Sequence, residues 1–256
     1  MSTMESAPPI TNNEIRLIRS LATKKGRDES GLFIVEGEKM VAEARHSAMK
    51  VERIYERSEI GDAKMERISA MSGSSPVLAV LRQPEETVLN AVNQVIEVLG
   101  HLGLFLFLDS IRDPGNLGTI LRISDWFGIN AVFASPDTVD VFNPKVVQAT
   151  MGAIFRVKFH YCSFDLLREA ASETSASISG TFLDGDCIYS ADLPLGDSSP
   201  SIIVIGNESN GISQGVEKYV DRRLLIPPFP ADSRTSESLN AAVATAVTIS
   251  EFRRRL

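Results

Sequence analysis

The 256-residue chain has few of the features that mark several large classes of protein. Its two cysteines, Cys162 and Cys187, lie far apart and form neither a metal-binding nor a thiol-redox spacing. The expected setting is therefore reduced and cytoplasmic. Three histidines (His46, His101 and His160) stand isolated, so no metal site is expected. No apolar run approaches the length needed to cross a bilayer. The N-terminal MSTMESAPPITNNE lacks a basic segment followed by an apolar one, so no signal peptide is read. Positive charge is also in deficit, with a formal net charge of −7. A nucleic-acid binder more often carries a basic balance or face, so any contact with RNA or DNA must use a local patch.

What is present is ordinary globular composition, 43% hydrophobic and 23% charged, in a length suited to one large domain or two smaller ones. Residues 1–11 read as a disordered lead-in. Asn12–Leu21 has apolar residues at near-helical spacing. The charged KKGRDESG (Lys24–Gly31) reads as a loop. Strands are expected at Leu32–Val35, Lys50–Tyr55 and Pro76–Leu81, with helices at Glu36–Arg45 and Asp62–Met71. This gives a small α/β domain over 12–83. Residues 84–103 form a connector whose Val95–Leu99 suits a helix or an extended segment. Over 104–256 strands alternate with helices. Strands are expected at Leu104–Leu108, Ala131–Ala134, Val157–Tyr161, Ser177–Leu183, Ser201–Ile205 and Arg223–Ile226. Helices are expected at Leu117–Phe127, Pro144–Gly152, Phe164–Glu173, Gln214–Val220 and Ser236–Arg254. Continuous apolar strands alternating with helices imply an α/β fold, a mostly parallel sheet with helices on both faces.

Three strand–loop–helix stretches share a layout: Leu104–Gly128, Ser201–Ser213 and Leu224–Phe252. Such loops, at the C-terminal ends of strands, are where α/β proteins bind ligands. In the first, Pro114-Gly115 signals a turn and Asn116 is a plausible helix N-cap. Arg122 either seeks an anion such as a phosphate or lies along the surface. In the second, Gly206 and Gly211 permit unusual backbone angles, and no Walker or GxGxxG pattern is present. Glu208 either orients a polar ligand or is simply solvated. In the third, Ser236 is a candidate cap, placing Ser238 and Asn240 in a first turn that would welcome an anion. The terminal FRRRL either grips phosphates or complements the helix dipole.

Together the loops resemble the three motifs of the SpoU/TrmH family, RNA ribose 2′-O-methyltransferases of the SPOUT superfamily. DPGNLGTILRISDWFG resembles the first motif, IVIGNESNGIS the second and ESLNAAVATAV the third. SGLFIVEGEKMVAEA resembles the small ribosomal-protein-like α/β domain that binds substrate in many members. The resemblance implies a trefoil knot in the catalytic domain and S-adenosylmethionine as cofactor. It also implies a homodimer formed through that domain. The family's motif residues fall on Asn116, Arg122, Glu208, Ser238 and Asn240, and cofactor contacts near Thr181, Gly206, Ile226 and Leu239. The implied reaction is 2′-O-methylation of a ribose in structured RNA, rRNA ahead of tRNA, with Arg122 or Glu208 assisting proton removal. The third motif departs from the family pattern: IPPFPADSRTSESLN is longer and lacks the usual Met and Gly, and Ala241 replaces a common Val. A non-catalytic RNA-binding protein on the same scaffold is the alternative of another class. Lys24, Lys25, Arg27 and Lys39 are the candidate RNA contacts, against a reading of that segment as a solvated charged loop.

Overall fold

The computed structural model describes residues 10–71, 73, 75–230 and 238–256. The first eight elements are α1 (Asn12–Ser20), α2 (Lys24–Ser30), β1 (Leu32–Glu36), α3 (Glu38–His46), β2 (Val51–Glu56), α4 (Arg57–Ile60), α5 (Asp62–Ile68) and β3 (Val77–Arg82). They continue with α6 (Val92–Leu99), β4 (Leu104–Leu108), α7 (Pro114–Trp126), β5 (Ala131–Ala134), α8 (Pro144–Ala149), β6 (Phe159–Tyr161) and α9 (Phe164–Thr174). The last are β7 (Ser177–Phe182), β8 (Asp186–Cys187), β9 (Ser201–Ile205), α10 (Gln214–Glu217), β10 (Arg222–Leu225) and α11 (Ala241–Arg254). The chain divides into two compact units, residues 1–84 with 142–155, and residues 85–141 with 156–256.

In the first unit an antiparallel sheet of order β1-β3-β2 packs its apolar side chains against α1 and α5. Ile15, Ile18 and Leu21 meet Ile34, Met65, Ile68 and Leu78 there. The segment expected as a charged loop, Lys24–Gly31, is instead helix α2. Thr23 accepts from the Gly26 N–H, and Gly31 ends the helix at φ 65°. Lys24–Asp28 and Lys25–Glu29 pairs one turn apart add support on its exposed face. Composition hid this helix because its charges are intrahelical partners. The helix after β5 was also expected to reach Gly152. It ends at Ala149 and belongs to the first unit, where Phe142 lies 4.8 Å from the Phe33 ring.

The second unit is a seven-stranded sheet of order β6-β5-β4-β9-β7-β10-β8, and all its strand pairings are parallel. The connector supplies α6, which packs on α9 over Phe105, Phe107, Phe133, Ile202 and Val204. Leu104, Leu106, Leu108, Ile203 and Ile205 alternate with these and are equally buried, so the opposite face is covered too. Helices α7 and α11 pack on one another. Strand β4 has β5 on one side and β9 on the other, so the chain changes direction across the sheet there. Ligands of open α/β sheets bind at such switch points. Two expected helix starts move. Asp113, not Asn116, caps α7, because Pro114 fits the first turn and the Asp113 carboxylate accepts the Asn116 N–H. Asn240 caps α11 by accepting the Ala242 and Val243 N–H groups, so neither Ser238 nor Asn240 lies within its first turn. Ser236 lies outside the described residues.

Candidate functional site

The loops after β4 and β9 and the segment before α11 meet through side chains. Asn116 Nδ2 donates to Glu208 Oε1 at 2.8 Å, and Asn240 Nδ2 donates to Asn116 Oδ1 at 2.8 Å. The direction of this relay follows from chemistry. A carboxylate only accepts, so Asn116 must turn its NH2 toward Glu208. Its oxygen then faces Asn240, which must donate in turn. That leaves the Asn240 oxygen for the α11 backbone, where it accepts at 2.9 and 3.2 Å. One charge thus orients two amides drawn from separate loops.

Freeing Asn116 from a capping role is what permits the relay. Its helix is capped by Asp113, so the Asn116 side chain points out of the turn toward Glu208. The Glu208 loop is itself tightly closed. Asn207 and Gly211 exchange backbone hydrogen bonds at 2.9 Å, and Gly211 sits at φ 67°. A Cβ on Gly206 would lie 2.3 Å from both Gly211 C and Ile212 N, so a larger residue would force the loop open.

The sequence reading passed over Asn207, Ser110 and Asp109. Asn207 Oδ1 accepts the Ser209 and Asn210 N–H groups, and Nδ2 donates to the Ser110 carbonyl at 2.6 Å. Buried Asp109 accepts the Ser213 N–H at 2.7 Å. Polar residues within two positions of the end of an apolar strand are the available signal for all three.

The expected cofactor positions occupy one edge. Thr181 pairs with Leu224, and Gly180 pairs with Val204, so Thr181, Gly206 and Ile226 mark the C-terminal ends of adjacent strands β7, β9 and β10. Leu239, 47% exposed, precedes the relay residue Asn240. Among the described residues the backbone groups of Gly206, Ile226 and Leu239 make no hydrogen bond, leaving them open to a polar ligand. Ser238 is exposed.

Arg122 is not joined to the relay within the chain. It lies six residues beyond Asn116, about 120° away around the helix and about 9 Å along it. It is exposed and makes no hydrogen bond or ion pair among the described residues. Of the candidate RNA contacts, Lys24 and Lys25 are exposed but paired within α2, and Lys39 is exposed on α3. Arg27 is a correction: it is 2% exposed and donates to the Leu21 carbonyl, so it belongs to the interior.

The terminal arginines do not form a free phosphate grip. Arg253 donates to the Phe127 and Gly128 carbonyls at the end of α7. Arg254 and Arg255 hold Glu251, and Arg255 also reaches the Ile188 and Ala191 carbonyls. No described helix is long and apolar enough to cross a membrane. Among the described residues no group of His, Cys, Asp and Glu could hold a metal ion.

Residues 103–250 match the SpoU rRNA Methylase family, and residues 12–98 match the MRM3-like substrate binding domain. The chain is 26% identical to the Bacillus subtilis 23S rRNA (guanosine(2553)-2′-O)-methyltransferase RlmP over 99% of its own length and 100% of the relative's. A TrmH-family protein from Porphyromonas gingivalis superimposes with a TM-score of 0.84 at 34% identity, covering 97% of this chain and 100% of that one. An AdoMet-bound rRNA methyltransferase from Sinorhizobium meliloti gives a TM-score of 0.84 at 25% identity, covering 98% and 97%. With the motif loops joined at one switch point and more than half the length matched, the chain belongs to the SpoU rRNA Methylase family of RNA methyltransferases.

Proposed function

We propose that this protein transfers the methyl group of S-adenosylmethionine to a ribose 2′-hydroxyl in structured rRNA. The observation that carries the reading is the Asn240–Asn116–Glu208 relay, which joins all three motif loops at the strand ends. The AdoMet-bound relative supports the cofactor, and the RlmP-like relative the 2′-oxygen and rRNA. Residues 12–83, with 142–155 of the same compact unit, serve as the RNA-binding domain, 84–103 as the connector and the remainder of 104–256 as the catalytic domain. The loops after β9 and β10 form the trefoil knot. In support, Asn240, which follows β10, reaches back past β7 and β9 to Asn116, which follows β4.

The open backbone groups of Gly206, Ile226 and Leu239, with Thr181, hold the cofactor. When bound it supplies an electrophilic methyl group. The protein's remaining task is alignment and proton removal, since a ribose hydroxyl is a poor nucleophile until it loses its proton. Glu208, steered by Asn116, accepts or orients that proton, and Ser238 and Asn240 position the ribose. Arg122 meets the RNA phosphate and hydroxyl as a fixed cation and hydrogen-bond donor.

The working unit is a homodimer. Trp126 is 86% exposed one turn beyond Arg122, and Val243 and Leu239 on the neighbouring α11 segment are 49% and 47% exposed. A second copy covering Trp126 brings Arg122 to its own relay. Lys24, Lys25 and Lys39 help capture RNA, and the protein works in the cytoplasm.

Labelled S-adenosylmethionine, incubated with rRNA from a deletion strain and followed by ribose-methylation mapping, tests the activity. One new 2′-O-methyl site is expected. Cofactor binding in calorimetry without transfer to any RNA would favour the non-catalytic scaffold. Replacing Trp126 by Asp is expected to give monomers in sedimentation and to abolish transfer; unchanged dimers would refute this interface.

A further inference from the structure

The relay accounts for one oxygen of Glu208. The other leads to a second network. Glu208 Oε2 faces Asn207 Nδ2 at 3.4 Å, and the same Asn207 nitrogen donates to the Ser110 carbonyl at 2.6 Å. Ser110 directly follows Asp109 at the end of β4 and is one of three described non-glycine residues at positive φ, with φ 61°. A serine has no intrinsic reason to stay there, because its Cβ crowds the backbone in the left-handed region. Something must hold it.

The turn after β5 does so. The Ser110 N–H donates to Ser135 Oγ at 2.8 Å, and the Ser110 hydroxyl donates to Asp137 Oδ2 at 2.6 Å. The Ser135 hydroxyl donates to Asp137 Oδ1 at 2.7 Å, so one carboxylate fixes both hydroxyls. Arg112 Nη2 adds a contact to Asp137 Oδ2 at 3.0 Å. The Ser110 hydroxyl above all, then Ser135 and Arg112, hold the Asp137 carboxyl below its ordinary range against the opposing effect of burial, so it remains an acceptor at neutral pH. With its N–H and hydroxyl anchored, Ser110 presents its carbonyl to Asn207.

We infer that Asp137 is a positioning residue of the methyl-transfer site: it holds Ser110 in the left-handed conformation, and the Ser110 carbonyl then orients Asn207 beside Glu208. The inference rests on the ribose-methylation reading, and it assigns Asp137 no contact with RNA or cofactor.

Glycine supplies the decisive test, because it occupies positive φ without a side-chain anchor. In the full-length protein, Asp137→Ala is expected to lower kcat about 10-fold, with KM for RNA and for S-adenosylmethionine held within about 2-fold. It should also shift the Asn207 side-chain amide resonances in NMR spectra of the protein without RNA. Adding Ser110→Gly should restore kcat to within about 3-fold of the parent and return the resonances. Asp137→Asn, which keeps the volume, provides a second reading in the same direction if the alanine variant folds poorly by thermal unfolding. Unchanged kcat and unchanged Asn207 signals would overturn the inference. So would a loss that glycine at 110 fails to restore, since a role exerted through Arg112 would not respond to residue 110. If the parent protein methylates no RNA, the functional reading fails and the Asn207 resonances alone decide: signals indifferent to Asp137 refute the positioning role, and signals that move and revert uphold it.

Discussion

Helices α7 and α11 pack together, yet the middle of α7 and the end of α11 use their arginines in opposite ways. On α7, Arg122 is exposed without a described partner, and Trp126 beyond it is 86% exposed. At the end of α11 the arginines are spent on protein groups. Arg253 binds the Phe127 and Gly128 carbonyls at 2.9 and 2.6 Å, satisfying acceptors that the last turn of α7 leaves open. Arg254 and Arg255 clamp Glu251, whose side chain is only 6% exposed. The lesson is that a count of arginines says little about anion binding. An arginine that has met carbonyls or a buried carboxylate closes the fold, and one left without them is available to a substrate. A chain with a net charge of −7 can therefore bind RNA through the cations it has not spent.

The largest test of this contrast is Arg122→Ala. It is expected to lower methyl transfer by about 100-fold while leaving the thermal midpoint unchanged. A destabilised but fully active variant would reverse the comparison. Arg122→Lys should recover only part of the rate, because a lysine lacks the planar donor fork.

Next comes Arg253→Ala, which leaves two carbonyls without their charged donor. A loss of about 1.5–3 kcal/mol of stability is expected in denaturant unfolding, with turnover per folded molecule preserved. Lost turnover at full stability would place Arg253 with Arg122 instead.

The Glu251 clamp also has a pH signature. The hydrogen bonds from Arg254 foremost, then the one from Arg255, lower its carboxyl to about 2 against the opposing effect of burial. A group depressed in the folded state contributes stability above its unfolded value and loses it as pH falls through its folded value. The clamp should therefore weaken between about pH 4.5 and about pH 2. Glu251→Gln should be less stable at neutral pH and should show a flatter acid limb in urea titrations. Parallel acid limbs for the two proteins would remove the clamp from the account.

The smallest effect is expected at Lys39, exposed on α3. Lys39→Glu should weaken RNA binding modestly and reduce the slope of log affinity against log salt by about 1–2. An unchanged slope would leave that surface out of RNA capture.

Much of this was legible in the primary structure because it is local. Apolar runs such as Leu104–Leu108 and Ser201–Ile205 cannot be exposed on either face, and they became central strands. Position marked only the loops at strand exits and helix entries; Asn116, Glu208 and Asn240 are named within them by the resemblance of those loops to the SpoU/TrmH motifs. Lys24–Gly31 reads as a loop in sequence because its helix carries no apolar stripe and is marked only by a Thr23 cap and i,i+4 ion pairs. The third-motif insertion falls largely outside the described residues, at 231–237.

The sequence by itself determined the strands, the helices and the polar residues that terminate them, since hydrophobic burial and capping act over a few neighbouring residues. Only tertiary structure decided which of those polar residues were partners. Asn116 reaches Glu208 across 92 positions, and Arg253 reaches Phe127 across 126. Hydrogen bonding is directional and short-ranged, so it distinguishes a spent side chain from an available one only after the sheet has brought distant loops together.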